Sequence, residues 1–377
     1  MKKIVFVIES LHLGGAEKSL VTLLNNIDYR KYKVDLILFK QGGVFFKEVP
    51  NEVNLIQKSF PVLSFFDRFL FKVKKLTNRE KYHNAQLLWD LIRDKFDFYE
   101  KEYDIAVAYN QGFSTYYVNK FIKAKIKYAW LNTDYKKAGY NIEFDLPIYN
   151  EYEAIVAVSP EAKKGIEEAL LGMNSTLNIK VIKDISDQEI ILKKSKEELD
   201  FKFDKKRINI VTVARLAKQK GLHLAVESCK RLIDQGYKVH WYIVGEGSER
   251  KKIEALIKKH QLKDTFFLVG ETHNPYPYIE KCDIYVQTSL FEGLGLTVIE
   301  ATILKKPIIC TNFPTAASII ENEETGLICD MNTESIVSSI KNLINRKDLQ
   351  DKLVYNLSIK MNQEKEKTLK KIEEIFS

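Results

Sequence analysis

Short apolar runs alternate along the whole chain with longer stretches in which apolar positions recur every three or four residues. In the first half the runs are KIVFVIE (3–9), VDLILF (34–39), YDIAVAY (103–109), KYAWLN (127–132) and AIVAVS (154–159). In the second half they are INIVTVA (208–214), VHWYIVG (239–245), TFFLVG (265–270), DIYVQTS (283–289), PIICT (307–311) and GLICD (326–330). Runs this short and this rich in Val, Ile and aromatics predict strands covered on both faces. The stretches between them predict helices over 16–26, 221–235, 249–260 and 333–345. Strand–helix alternation of this kind implies parallel sheets with right-handed crossovers, here repeated twice. A charged stretch from Asp184 to Arg207 separates the last strand-like run of the first half, IKVIK, from INIVTVA. The expected fold class is therefore α/β, two Rossmann-like parallel-sheet domains facing across a cleft. Their expected bounds are 1–184 and 208–355, with a charged linker over 185–207 and a helix over 356–377 crossing back to the first domain.

Composition narrows the class. A chain of 377 residues is long for one core, and 45% apolar with 29% charged residues is the content of an ordinary globular protein. The opening MKKIVFVIES imitates a signal peptide, but Glu9 interrupts the apolar run after Ile8, so it reads as a buried first strand. No run approaches the ~18 apolar residues needed to span a bilayer. Cys229, Cys282, Cys310 and Cys329 contain no CxxC pair, and three of them sit on strand or helix patterns beside apolar residues, the pattern of reduced core cysteines in a cytoplasmic protein. The six histidines form no HxH or HExxH set, so no metal site is expected.

The net charge of +8 is modest, but its placement matters. Residues 65–81, FFDRFLFKVKKLTNREK, carry Arg68, Lys72, Lys74, Lys75, Arg79 and Lys81 against Asp67 and Glu80. Phe65, Phe66, Phe69, Leu70, Val73 and Leu76 recur among them at helical spacing. An aromatic face opposed to a basic one is the pattern of a helix lying peripherally on an anionic membrane surface. It is equally the pattern of a helix docking its apolar face on its own domain. No nucleic-acid partner is expected, because the basic residues lie in no recognisable binding motif.

In open parallel sheets ligands bind at the carboxyl ends of the strands, and four loops there carry candidate chemistry. After the first strand, Gly14 and Gly15 precede a helix, where backbone N–H groups can approach an anion. GxGxxG is absent, so this is no dinucleotide fingerprint. After INIVTV come Arg215 and Lys220, a forked and a mobile cation that together suit a diphosphate. Both are expected to be exposed, with little packing to lose. After VHWYIV, Gly245 and Gly247 bracket Glu246 and suggest a turn pressed against a flat ligand such as a base. The fourth loop is FEGLGLTVIEAT, where Glu292 and Glu300 stand eight positions apart. Eight residues advance a helix by about 800°, close to two turns. With a helix starting near Leu294, both carboxylates can address the hydroxyls of one ligand lying over its N-terminus, beside the N–H groups of Gly293 to Thr297. The plainer alternative is a solvated loop acid and a surface helix residue.

Cations for a diphosphate and carboxylates for polyols together describe a nucleotide-sugar site. Here the chain resembles a known family. TSLFEGLGLTVIEATILKKPIICTN (288–312) looks like the signature of the family-four retaining glycosyltransferases of GT-B fold, with its E-x7-E spacing. VARLAKQKG (213–221), IVGEGSER (243–250) and LGGAEKSL (13–20) resemble three further elements of that family, in family order. The resemblance implies a cofactor-free, metal-independent transferase of the bacterial surface-polysaccharide type. It would move a sugar with retention from a nucleotide-sugar donor, UDP-linked, to a glycan or lipid-linked acceptor. It implies that Glu292 contacts the donor sugar, that Glu300 contacts the ribose, and that Arg215 and Lys220 stabilise the departing diphosphate. It places Gly14, Gly15, Asn132, Gly245, Glu246, Gly293, Leu294, Gly295, Leu296 and Thr297 around the donor. Whether Glu292 is a nucleophile or an electrostatic stabiliser is left open.

The chain departs from the family at three points. Asn132, in WLNTDY, stands where relatives acting on surface polysaccharides carry a histidine; Lys183-Asp184-Ile185 replaces an Asn-Gly turn; and Thr297 replaces a common proline. Asparagine cannot carry charge near neutral pH. That loss is the support for a rival reading, a catalytically silent GT-B subunit binding an acceptor or a partner enzyme. A nucleotide-sugar epimerase is a second rival, with no motif to favour it.

Overall fold

The first apolar run forms β1 (Lys2–Val7), and Ile4, Val5, Phe6 and Val7 are each 0% exposed. Burial on both faces is why the run shows no polar alternation. The computed structural model describes residues 1–12, 14–78, 81–97, 99–199, 202–359 and 364–377. The chain divides into two units, Met1–Ile185 with Glu366–Ser377, and Ser186–Lys365.

In the first unit β1 joins β2 (Tyr32–Leu38), β3 (Asn54–Gln57), β4 (Glu102–Ala108), β5 (Lys123–Leu131), β6 (Ala154–Ala157) and β7 (Ile179–Val181). Their order is β3-β2-β1-β4-β5-β6-β7, and all neighbours run parallel. In the second unit β8 (Ile208–Val213), β9 (Val239–Val244), β10 (Phe266–Gly270), β11 (Ile284–Gln287), β12 (Ile308–Thr311) and β13 (Leu327–Cys329) take the order β10-β9-β8-β11-β12-β13, again parallel. The order reverses between β1 and β4 and between β8 and β11. Those are the switch points at which ligands of such sheets bind.

The sequence pattern missed β3, an edge strand of four residues whose two ends, Asn54 and Gln57, are polar and exposed. The helices Gly15–Leu24, Leu222–Asp234, Arg250–Lys259 and Thr333–Asn345 fall where periodicity places them. The stretch 185–207, read from its charge as a linker, contains a helix instead. Gln188–Lys194 is capped by the Asp187 carboxylate, which accepts from the Ile190 N–H at 3.2 Å. Ile191 is buried in the core of the second unit, so the lysines there mark only the outward face. At the carboxyl end, helix Lys347–Ile359 buries Leu349 and Leu353 in the second unit. Helix Glu364–Phe376 lies on the first sheet, where the Phe376 ring meets Phe6, Tyr32 and Tyr128 edge-on or tilted.

All four cysteines are buried and free, and burial pushes the thiols of Cys229 and Cys282 up to about 12, so neither is a nucleophile near neutral pH.

One buried acid holds the helices beside the first sheet together. Asp145 accepts from the Gln86 amide at 2.9 Å, the Tyr116 hydroxyl at 2.7 Å and the Tyr135 hydroxyl at 2.6 Å. Burial pushes its carboxyl up from 3.8 to about 6 against the pull of those three donors. The folded state therefore binds a proton that the unfolded chain releases. This contribution is fully present below the unfolded value and lost as pH rises through about 6. Urea melts should show Asp145→Asn gaining about 2–3 kcal/mol on wild type between roughly pH 4 and pH 7. Parallel stability profiles would show that Asp145 does not titrate in this range.

Candidate active site

In the second unit the loops after β8 and β11 are sewn together by main-chain bonds. The Leu290 N–H donates to Gln219 O at 2.8 Å, and the Thr288 hydroxyl donates to Lys220 O at 3.0 Å. Gly221 makes this closeness feasible. Its φ is +58°, and a Cβ there would lie 2.2 Å from Thr288 O. The result brings Lys220 to Glu292, 72 positions away in sequence, with Nζ at 2.7 Å from Oε1 and 2.6 Å from Oε2. The two side chains are only 13% and 9% exposed. Lys220, expected to be an exposed cation, is thus largely buried in an ion pair. Glu292 is no solvated loop acid.

Two more donors converge on Glu292. The Ser289 hydroxyl donates to Oε1 at 2.6 Å and the Gln287 amide donates to the same oxygen at 3.2 Å. Gln287 is itself oriented by the buried Tyr285 hydroxyl, which donates to its Oε1 at 2.9 Å. Burial raises the Tyr285 hydroxyl well above its usual range; a hydrogen bond with Thr297 lowers it, and the charges of Glu300 and Glu292 add to the rise. Sequence reasoning missed Tyr285, Gln287 and Ser289. The available signal was a glutamine and a serine closing an apolar strand run.

The helix after this loop begins at Leu296 rather than near Leu294, with Gly295 as its cap at φ +79°. Gly293, Leu294 and Gly295 are buried, and the N–H groups of Leu296 and Thr297 open the first turn, where no intrahelical acceptor reaches. Glu300 is 2% exposed on the same helix, so it is not a surface residue. Arg215 follows β8 and is exposed.

The loop after β9 is packed against the β8 loop. A Cβ at Gly245 would lie 2.1 Å from Ala214 O, and one at Gly247 would lie 2.4 Å from Leu216 O. Both glycines make room for the main chain of the β8 loop. The Glu246 carboxylate is gripped by Arg250 of the next helix, with Nε at 3.0 and 2.8 Å from its two oxygens, and that hydrogen bonding holds its pKa below the usual range.

Gly14, Gly15 and Asn132 belong to the first unit. Gly14 caps helix Gly15–Leu24, but the Glu17 carboxylate folds back over it, so that a Cβ on Gly14 would meet Glu17 Oε2 at 2.0 Å. The chain's own acid stands where an anion was expected. Asn132 closes β5: its N–H donates to Gln111 Oε1 at 3.1 Å and its amide donates to Tyr109 O at 3.2 Å. Its Oδ1 is buried with no donor among the described residues, leaving an acceptor at the strand end. Tyr109 links this group to the glycine loop, because its hydroxyl lies 2.8 Å from Ser19 Oγ, which in turn donates to Asp184 at 2.5 Å.

Comparisons with known proteins bear on this constellation. Residues 193–358 match the family described as glycosyl transferases group 1, a span that contains Arg215, Lys220, Glu292 and Glu300. Over 351 residues the chain is 27% identical to a Campylobacter jejuni enzyme and covers 91% of this chain and 90% of that one. That relative is N-acetylgalactosamine-N,N'-diacetylbacillosaminyl-diphospho-undecaprenol 4-alpha-N-acetylgalactosaminyltransferase. Anabaena HepE in complex with UDP-glucose superposes with a TM-score of 0.73 at 16% identity, over 99% of this chain and 100% of that one. A TarM variant of S. aureus, solved with UDP and alpha-GlcNAc-glycerol, superposes at 0.71 and 16% identity over 100% of both chains. The two parallel-sheet units make this a protein of the GT-B fold. With the group 1 domain matched across its second unit and a named transferase aligned along nearly its whole length, the chain is a glycosyltransferase.

Proposed function

We propose that the chain transfers a sugar with retention from a UDP-sugar to a hydroxyl of a glycan or lipid-linked acceptor in bacterial surface-polysaccharide synthesis. The observation that carries this reading is the Glu292 carboxylate, held by Lys220, Ser289 and Gln287 at the β8/β11 switch point. Negative charge develops on the β-phosphate as the glycosidic bond breaks, and fixed cations lower that barrier. Arg215, exposed, forks onto the diphosphate. An ammonium has three donors, and the two directed at Glu292 leave one for a phosphate oxygen. The N–H groups opening helix Leu296–Ile303 add donors to the same anion.

Glu292 acts on the donor sugar as an electrostatic stabiliser. Its Oε1 already accepts three hydrogen bonds, which draws off the electron density a nucleophile needs, while Oε2 accepts from Lys220 and keeps a lone pair for a sugar hydroxyl. The departing phosphate takes the acceptor proton, so no protein base is required. Glu300 accepts from the ribose hydroxyls, and the Asn132 Oδ1 accepts from a donor or acceptor hydroxyl on the first unit. The acceptor class rests on the Campylobacter jejuni relative, whose name carries a diphospho-undecaprenol. On this reading the reaction runs at the inner face of the cell membrane.

Incubation with a panel of UDP-sugars should release UDP from at least one, faster with a polyprenyl-diphosphate glycan present. Tight UDP binding with no release from any donor would establish the silent-subunit reading instead. EDTA should leave turnover within about twofold, since Arg215 and Lys220 supply the charge stabilisation. Loss on chelation, restored by Mg²⁺ or Mn²⁺, would overturn the metal-independent reading.

A further inference from the structure

Helix Phe65–Thr77 is mounted with its most apolar face outward. Phe65 is 89% exposed, Leu76 84%, Phe66 65% and Phe69 55%, and Val73 joins them at 38%. At about 100° per residue these five side chains fall within one sector of about 100°. The domain is met by the opposite side, through buried Asp67 and half-buried Leu70, Phe71 and Lys74. Arg68, Lys72 and Lys75, all exposed, lie side by side along one flank of the apolar stripe. Val62, 90% exposed, extends the apolar surface into the segment that leads in.

The mounting is fixed by polar contacts. Ser64 Oγ accepts from the Asp67 N–H at 3.1 Å and the Ser64 N–H donates to Asp67 Oδ2 at 2.8 Å, a reciprocal cap that holds the first turn. The inward side is tied by Lys95 to Asp67 at 2.5 Å and by Lys74 to Asp90. Lys74, grouped by sequence with the membrane-facing lysines, is thereby turned inward. Arg79 and Glu80 lie outside the described residues. A surface helix ordinarily buries its apolar stripe, and here that stripe is the side left exposed. No helix among the described residues is long and apolar enough to cross a membrane.

We propose that this stripe is a docking surface for an anionic lipid bilayer. Phe65, Phe69 and Leu76 enter the acyl boundary, and Arg68, Lys72 and Lys75 meet phosphate headgroups along one edge. Charge complementarity selects lipid over a second copy of the chain, because two copies of this face would bring their basic flanks together. The helix lies parallel to the surface, since apolar residues run its whole length while the basic row follows one flank.

Sedimentation of the full chain with vesicles tests this. The wild type should pellet with phosphatidylcholine–phosphatidylglycerol vesicles at low salt and remain in the supernatant with phosphatidylcholine alone. The triple change Arg68→Glu, Lys72→Glu and Lys75→Glu should lower the partition coefficient about 10²-fold, from three lost headgroup contacts. Phe65→Ser, Phe69→Ser and Leu76→Ser together should abolish pelleting; because these side chains are exposed, the melting temperature should hold. The same charge reversal at exposed Lys251, Lys258 and Lys263 of the second unit should leave binding unchanged. The proposal is overturned if the wild type ignores anionic vesicles or binds neutral ones equally. It is also overturned if the serine variant only dissolves a dimer, which would make the stripe a contact between copies.

Discussion

Lys220→Ala is expected to lower turnover about 10²- to 10³-fold, the usual cost of one preorganised charge-stabilising donor. It should also destabilise the second unit by about 2–3 kcal/mol, because the Glu292 carboxylate loses its counter-charge in a largely buried position. Arg215→Ala should cost a similar factor in turnover with the melting curve unchanged, since that guanidinium is exposed. The contrast separates two cations to which sequence reasoning assigned one and the same job. Adding Glu292→Gln to Lys220→Ala should recover most of the lost stability and none of the turnover, as removing the stranded charge repairs folding only. If Lys220→Ala melts like wild type, the ion pair contributes nothing to the fold. If turnover falls less than tenfold in both single variants, the leaving-group role is wrong.

Glu300→Ala should weaken UDP binding about 10- to 10²-fold, the value of a hydrogen bond to a charged acceptor. The proposed partners are ribose hydroxyls, present in substrate and product alike, so the loss appears in KM more than in kcat. Glu300 is 2% exposed, so truncation also leaves a hole in the core. Glu300→Gln keeps the volume and supplies the control. It should melt close to wild type while still losing part of the affinity, measured by calorimetry with free UDP. Unchanged affinity in both variants would remove Glu300 from the ribose.

Much of the candidate site was visible in the chain because its parts recur at strand ends. Glu292 and Glu300 were singled out by their spacing together with the family resemblance, and Arg215 and Lys220 by their place after a buried run. The residues that orient Glu292 were not found. Gln287 and Ser289 look like ordinary polar residues at the end of a strand, and their value lies in a carboxylate delivered by the following loop. Gly245 and Gly247 raise a different point. A glycine permits close approach without saying what approaches, and here it is the main chain at Ala214 and Leu216.

Sequence by itself determined the two parallel sheets, because strands buried on both faces must be short, apolar and β-branched whatever surrounds them. It determined the amphipathic character of residues 65–77, which periodicity alone expresses. Tertiary structure decided which way that helix faces, through Asp67 with Lys95 and Lys74 with Asp90, pairs made across 28 and 16 positions. It decided that Lys220 belongs to Glu292, a contact across 72 positions with no local signature. Local pattern reports which surfaces of an element are apolar. Only the packing of distant segments settles what each surface meets.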